Sequence, residues 1–173
     1  MKNQELWEEA AAFHGCECPA LAIGFRAVTY VMEQFGLSCT GQHPIVCIAE
    51  SFSCAIDAIQ AIFRCTLGNG MLQIQNQHRI AFRFCHTRLQ RSILLVLRPS
   101  ALPNPATVED VLKLPIHQLF NISTFSEVPV SSPNCFLSSC CPVRRPGEAQ
   151  QRDIPRPPDK KQSLYRRGYD RDW

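Results

Sequence analysis

The sequence predicts an α+β fold, with a mixed β-sheet that carries helices on one face. Three observations lead there. Leu21, Phe25, Val28, Met32 and Phe35 recur at steps of 4, 3, 4 and 3, the spacing of an amphipathic helix. The apolar run Pro44–Ala49 is followed by a second helical pattern and then by a second apolar run, a strand–helix–strand order that implies a parallel crossover. Two more apolar runs, 79–85 and 92–98, follow at short intervals, as antiparallel hairpins do.

Residues 3–13 read as a short helix with Leu6, Trp7, Ala10 and Phe13 on one face. Pro19 suits the first position of the next helix, because its missing N–H has no partner there in any case. Gly36 suits the stop. Residues 44–49 read as a buried strand and 53–65 as a helix with Ser53 as N-cap. Thr66–Gly70 is a glycine-bearing turn, too short for a phosphate-binding loop. Strands are expected at 71–75, 79–85 and 92–98. Asn76-Gln77 is expected to turn one hairpin and Gln90-Arg91 the other. A short helix at 107–113, capped by Thr107 and ended near Pro115, precedes an edge strand within 119–130.

Residues 1–130 therefore form the expected core domain. From 131 to 173 the chain turns rich in Ser, Pro and Arg, and the prolines at 142, 146, 155, 157 and 158 break any helix or central strand. This tail is expected to be largely disordered. It also holds the basic charge. Residues 144–173 carry nine Lys or Arg and five Asp or Glu, whereas 1–143 carry nine and ten. The body thus lacks the electrostatic footprint of a nucleic-acid binder. The tail, with Tyr165, Tyr169 and Trp173 among its arginines, reads as a solvated segment rather than a polyanion site, because its acids dilute the charge. No apolar run reaches the roughly 18 residues of a membrane span, and the N-terminus does not resemble an export signal. The expected location is cytoplasmic.

Ten cysteines in such a chain should then stay reduced and serve as core residues or metal ligands. Cys47 and Cys85, in apolar runs, are expected in the core, and Cys39 is expected to be inert. His14, Cys16 and Cys18 are spaced two apart, so an extended segment would point all three to one side. Cys18 precedes Pro19 and falls at a helix N-cap, where the helix dipole favours a thiolate. Cys54 falls at the start of the next helix. Imidazole and thiolate are the ligands preferred by zinc and other late first-row metals. If His14, Cys16, Cys18 and Cys54 all bind, the site is closed and structural. With three ligands, one position stays open for chemistry. Asp57, a helical turn after Cys54, is a candidate catalytic proton acceptor or a partner that orients a ligand. Glu50 is a second candidate proton acceptor. Arg26 reads as an anion contact or a surface salt bridge, and His78, His86 and His117 as bystanders, the first two at the surface.

At these residues the chain resembles the FmdE family, named for a component of formylmethanofuran dehydrogenase and marked by a segment F-H-G-H-x-C-P-G-L-x-x-G-x-R-A. Here it reads Phe13-His14-Gly15-Cys16-Glu17-Cys18-Pro19-Ala20-Leu21-Ala22-Ile23-Gly24-Phe25-Arg26-Ala27. A second family segment, A-E-x-x-x-C-x-x-D-A-I-Q, is similar to Ala49–Gln60, and the family's C-T-x-G-x-G to Cys65–Gly70. The resemblance spans roughly residues 5–130. It implies an α-β-α-β-β-β core with a mixed sheet. It also implies a metal site, zinc or another divalent transition metal, carried over to His14, Cys18 and Cys54. The family's second histidine is Cys16 here, which makes the site richer in sulfur if that residue binds. The glycine after the proline is Ala20, and a lysine common in the glycine turn is Asn69.

Many family members carry a C-terminal zinc finger with two Cys-x-x-Cys pairs. This chain offers only Cys135, Cys140 and Cys141 there, so no such finger is expected. The tail reads as diverged sequence or as the product of a shifted reading frame, which translating the gene in the other frames distinguishes. The resemblance implies an accessory or catalytic role in one-carbon or molybdoenzyme-linked metabolism, related to methanogenesis. The partners expected are the components of a molybdenum or tungsten enzyme and further copies of this chain, as a dimer or other homo-oligomer. The competing expectation is a non-catalytic structural or interaction module around a closed zinc site.

Overall fold

A computed structural model describes residues 2–38 and 43–126. The expectations for Cys39, for 127–130 and for the tail 131–173 lie outside those residues. Among the described residues no helix is long and apolar enough to cross a membrane.

The chain opens with helices α1 (Lys2–His14) and α2 (Pro19–Phe35), then strand β1 (Ile45–Ala49) and helix α3 (Ala55–Phe63). Strands β2 (Leu72–Ile74), β3 (Ala81–His86) and β4 (Arg91–Leu97) follow, then a 3-10 turn at Pro99–Ala101, short helices α4 (Val108–Lys113) and α5 (Ile116–Leu119), and strand β5 (Phe120–Phe125). The five strands form one mixed sheet in the order β2-β1-β3-β4-β5. The expected α+β class and mixed sheet are therefore present.

One strand neighbour differs from expectation. β2 and β3 do not form a hairpin; both flank β1, β2 parallel to it (Cys47 opposite Leu72) and β3 antiparallel (Cys47 opposite Phe84). The parallel crossover through α3 uses one edge of β1, and the loop 75–80 carries the chain across to its other edge. Gln75 and Gln77 amides donate to the Ala49 and Glu50 carbonyls at 2.8 and 2.7 Å, which holds that loop under the end of β1. β3–β4 and β4–β5 are antiparallel, and β5 forms the expected edge strand.

Alternate residues decide which face of the sheet meets the helices. Ile45, Cys47 and Ala49 of β1, Phe82 and Phe84 of β3, Ile93 and Leu95 of β4, and Phe120 of β5 join one hydrophobic core with the helices. α2 supplies Leu21, Phe25, Val28 and Met32, all buried. Each such side chain contributes roughly 1.5–3 kcal/mol relative to exposure. α2 ends as expected at Gly36, whose φ of 62° is a left-handed C-cap.

Leu6, Trp7 and Ala10 of α1 are buried, with Trp7 set edge-on to Phe25 at 5.2 Å. Phe13, expected on that face, is instead 53% exposed, because it lies at the helix end beyond the packed turns. Cys47 and Cys85 are buried as expected. His86, expected at the surface, is also buried. It sits at the end of β3, edge-on to Phe35 at 5.2 Å, and its Nδ1 accepts the Leu89 amide at 3.2 Å.

The turn 66–70 is stitched by Asn69. Its Oδ1 accepts the Thr66 and Met71 amides at 3.0 and 2.9 Å, and its Nδ2 donates to the Arg64 carbonyl at 2.6 Å. Asn69 thus closes the turn itself, which agrees with the reading of this segment as a tight turn.

Candidate metal centre

The site lies where the end of α1 meets the starts of α2 and α3. His14 is the last residue of α1. Gly15 then turns the chain at φ +89°, a conformation that glycine adopts without steric cost. The turn replaces the extended segment expected from the spacing. It folds His14 back over Cys18, so that His14 Nε2 lies 3.6 Å from Cys18 Sγ, while Cys16 stands exposed. Glu17 is held outside the group by the Trp7 indole N–H, which donates to its carboxylate at 3.1 Å.

Cys18 is the N-cap of α2, and its Sγ accepts the Leu21 amide at 3.3 Å. The thiol replaces the hydroxyl or carboxylate usual at this position and satisfies one of the free amides of the first turn. Cys54, rather than Ser53, is the N-cap of α3, and its side chain makes no capping hydrogen bond. Its sulfur instead meets Cys18. The two helix starts are brought together at Gly24, whose missing side chain lets α2 lie directly on the Ala55 backbone.

Among the described residues, His14, Cys18 and Cys54 form a group whose ligand atoms all lie within 4.8 Å of one another. All three are half-buried. Cys16 is not one of the group. Asp57 stands behind it. Its Oδ2 is 2.7 Å from His14 Nδ1, and its Oδ1 accepts the Gln60 side-chain amide at 3.2 Å. With Nδ1 directed at Asp57, His14 turns Nε2 toward the cysteines.

The electrostatics follow from these contacts. The hydrogen bond to Asp57 raises the His14 pKa above the ordinary histidine value, with Cys18 adding to it and burial opposing it. Burial pushes the Cys18 thiol up, but the Leu21 amide, His14 and Cys54 outweigh it, and its pKa falls below the usual thiol value. Burial raises the Cys54 thiol, and the neighbouring Cys18 raises it further. The two thiols are thus pushed apart, Cys18 downward and Cys54 upward.

The remaining candidates lie elsewhere. Glu50 is buried and paired with the Arg79 guanidinium. Arg26 takes a role other than the two expected of it: its guanidinium donates to the Leu114 carbonyl at 2.8 Å and ties α2 to the end of α4. Two contributors, Gly24 and Gln60, stand on positions of the family segments but were given no role from the sequence. Gly24 and Gln60 carry no chemistry of their own, and only the packing of α2 on α3 and the rotamer of Asp57 reveal their part. The exposed Phe52, at 72%, lies two residues before Cys54.

The donor set fits a divalent transition metal. One imidazole and two thiolates match the ligand set of open zinc sites, and a carboxylate on the far nitrogen of a ligating histidine is the usual orienting partner.

Comparisons with known proteins bear on the fold and the family. In a solved structure, a tungsten formylmethanofuran dehydrogenase FmdE-like protein from Syntrophus aciditrophicus shares the fold with a TM-score of 0.57 and 19% identity, over 73% of each chain. A probable S-adenosyl-L-methionine-binding protein from Archaeoglobus fulgidus is 37% identical over 76 residues, 41% of this chain. The match covers 20% of that relative's length. The family model described as "FmdE, Molybdenum formylmethanofuran dehydrogenase operon" matches residues 13–120, which include His14, Cys18, Cys54, Asp57 and Gln60. That span is more than half of the sequence, and the chain belongs to the FmdE family.

Proposed function

We propose that this chain is an FmdE-type metal-binding protein in which His14, Cys18 and Cys54 hold a divalent transition metal, zinc foremost, and leave one coordination position open. The observation that carries the reading is the convergence of an imidazole and two thiols within 4.8 Å at two helix starts, with the imidazole aligned by a carboxylate. A metal bound there supplies Lewis acidity toward an oxygen-bearing substrate. The residues around it set its surroundings. Asp57 keeps the His14 proton on Nδ1, the Leu21 amide stabilises the Cys18 thiolate, and the α2 and α3 dipoles favour the anionic sulfur pair.

The family is associated with molybdenum formylmethanofuran dehydrogenase operons. On that basis the reading extends to an accessory or catalytic role in one-carbon or molybdoenzyme-linked metabolism, beside the components of a molybdenum or tungsten enzyme or as a homo-oligomer.

A second reading rests on Cys16. It is exposed, two residues from Cys18, and hinged on Gly15 at φ +89°. A swing of that hinge would bring a fourth ligand to the metal and make a closed, structural site.

Metal analysis of the purified chain tests the proposal. One equivalent of metal per chain is expected, with loss in His14→Ala and Cys54→Ser variants. Full metal content retained in both variants would remove the site.

A further inference from the structure

We infer that Gln60 is a positioning residue of the metal centre, acting through Asp57 to hold the His14 ring with its proton on Nδ1 and its Nε2 turned to the cysteines. The consequence for metal affinity rests on the reading of the site given above. The contacts themselves do not depend on it.

Asp57 and Gln60 are three residues apart on α3 and so share a helix face. A lone carboxylate hydrogen-bonded through one oxygen can rotate about its last torsion, which is broad. Here the Gln60 N–H anchors Oδ1 at 3.2 Å, and Oδ2 is left pointing at His14 Nδ1, 2.7 Å away. His14 needs such a partner. It is the last residue of α1, followed by the Gly15 turn, and among the described residues its other ring nitrogen has Cys18 Sγ as its hydrogen-bond partner, at 3.6 Å. The orientation of the ring is therefore fixed from the α3 side.

The same geometry assigns Asp57. Both of its oxygens are engaged, one by Gln60 and one by His14. Asp57 is a positioning residue on this account, and the chain Gln60–Asp57–His14 is a relay of orientation, not of protons.

Two variants of the full chain separate this role from simple packing. Gln60→Met keeps the length of the side chain and removes the donor without adding charge. Gln60→Glu keeps the shape and places an acceptor against Asp57. Two readouts are taken on each. Cobalt(II) affinity is measured by absorption titration. The nitrogen-15 shifts of the His14 ring are measured on metal-free, reduced protein at mildly alkaline pH. The wild-type ring is expected to show one tautomer, protonated on Nδ1. Both variants are expected to move toward a tautomer mixture and to bind cobalt about tenfold more weakly, the lower end of the range for groups that orient a ligand. Unchanged ring shifts together with unchanged cobalt affinity in both variants would overturn the inference. If the wild-type chain takes up no cobalt, the metal reading fails by itself, and the ring shifts still decide whether Gln60 orients His14: a tautomer shift in the variants supports it, and its absence refutes it.

Discussion

Gly24 lies so close to Ala55 that a β-carbon on it would stand 2.1 Å from the Ala55 carbonyl oxygen and 2.7 Å from its α-carbon. The atoms in the way are backbone, which cannot rotate aside. This contact sets α2 against the first residue of α3, next to Cys54 on one side and six residues from Cys18 on the other. Gly24→Ala should therefore force the two helix starts apart. We expect a loss of about 3 kcal/mol, the upper end of ordinary overpacking, and weaker metal uptake, because Cys18 and Cys54 no longer converge. Thermal denaturation and a cobalt titration check the two effects separately.

Asp57→Asn keeps the shape of the side chain and removes its charge. Its amide can still meet Nδ1, but it no longer stabilises the Nδ1–H form. Metal affinity should fall about 10- to 100-fold with the fold retained. Competition against a chelator of known affinity measures it. Affinity equal to wild type would mean that the His14–Asp57 contact does not serve the metal.

Cys16→Ser distinguishes the open site from the closed one. With three ligands, the variant binds cobalt as wild type does and its thiolate charge-transfer band keeps its intensity. A fall of about one third in that band would place Cys16 on the metal and support the structural reading.

The legible parts of this protein are those in which a residue's own chemistry or period carries the signal. The spacing of Leu21, Phe25, Val28 and Met32 marks α2, and the Cys18-Pro19 pair marks its start. The cysteines at two helix starts mark the site, and Asp57 one turn beyond Cys54 marks its neighbour. What was not legible depends on contacts between distant segments. The exchange of β3 across β1 is a tertiary choice between two edges of one strand, and local turn residues such as Asn76-Gln77 do not encode it. His86 reads as surface because a histidine near a turn usually is, and contacts with distant segments, Phe35 among them, bury it. The bend at Gly15 breaks the period of two that put Cys16 beside His14 and Cys18. Gly24 and Gln60 stand on positions of the family segments, but they act through what they touch on other residues, so their roles show only in the packing.

Helix α4 offers a pH test away from the site. The Thr107 hydroxyl and amide both donate to the Asp110 carboxylate, at 2.7 and 2.8 Å, and the Asp110 amide donates back to the Thr107 hydroxyl at 3.2 Å. This capping box holds the Asp110 carboxyl below its ordinary value, first through the Thr107 side chain and then its backbone. A lowered carboxylate pKa stabilises the fold above the unfolded value, and that contribution is lost as pH falls through the folded value. Carbon-13 titration should show Asp110 ionising below a free aspartate. In Thr107→Ala it should move back toward the ordinary value, with a loss of roughly 1 kcal/mol from the missing cap.

The most direct test of the account is X-ray absorption on the metal-loaded chain, which counts the sulfurs around the metal. Two sulfurs at about 2.3 Å, one imidazole nitrogen at about 2.0–2.1 Å and one light, exchangeable ligand are predicted for zinc. A shell without sulfur, or a metal coordinated only by nitrogen and oxygen, would contradict the assignment of His14, Cys18 and Cys54 as the metal centre.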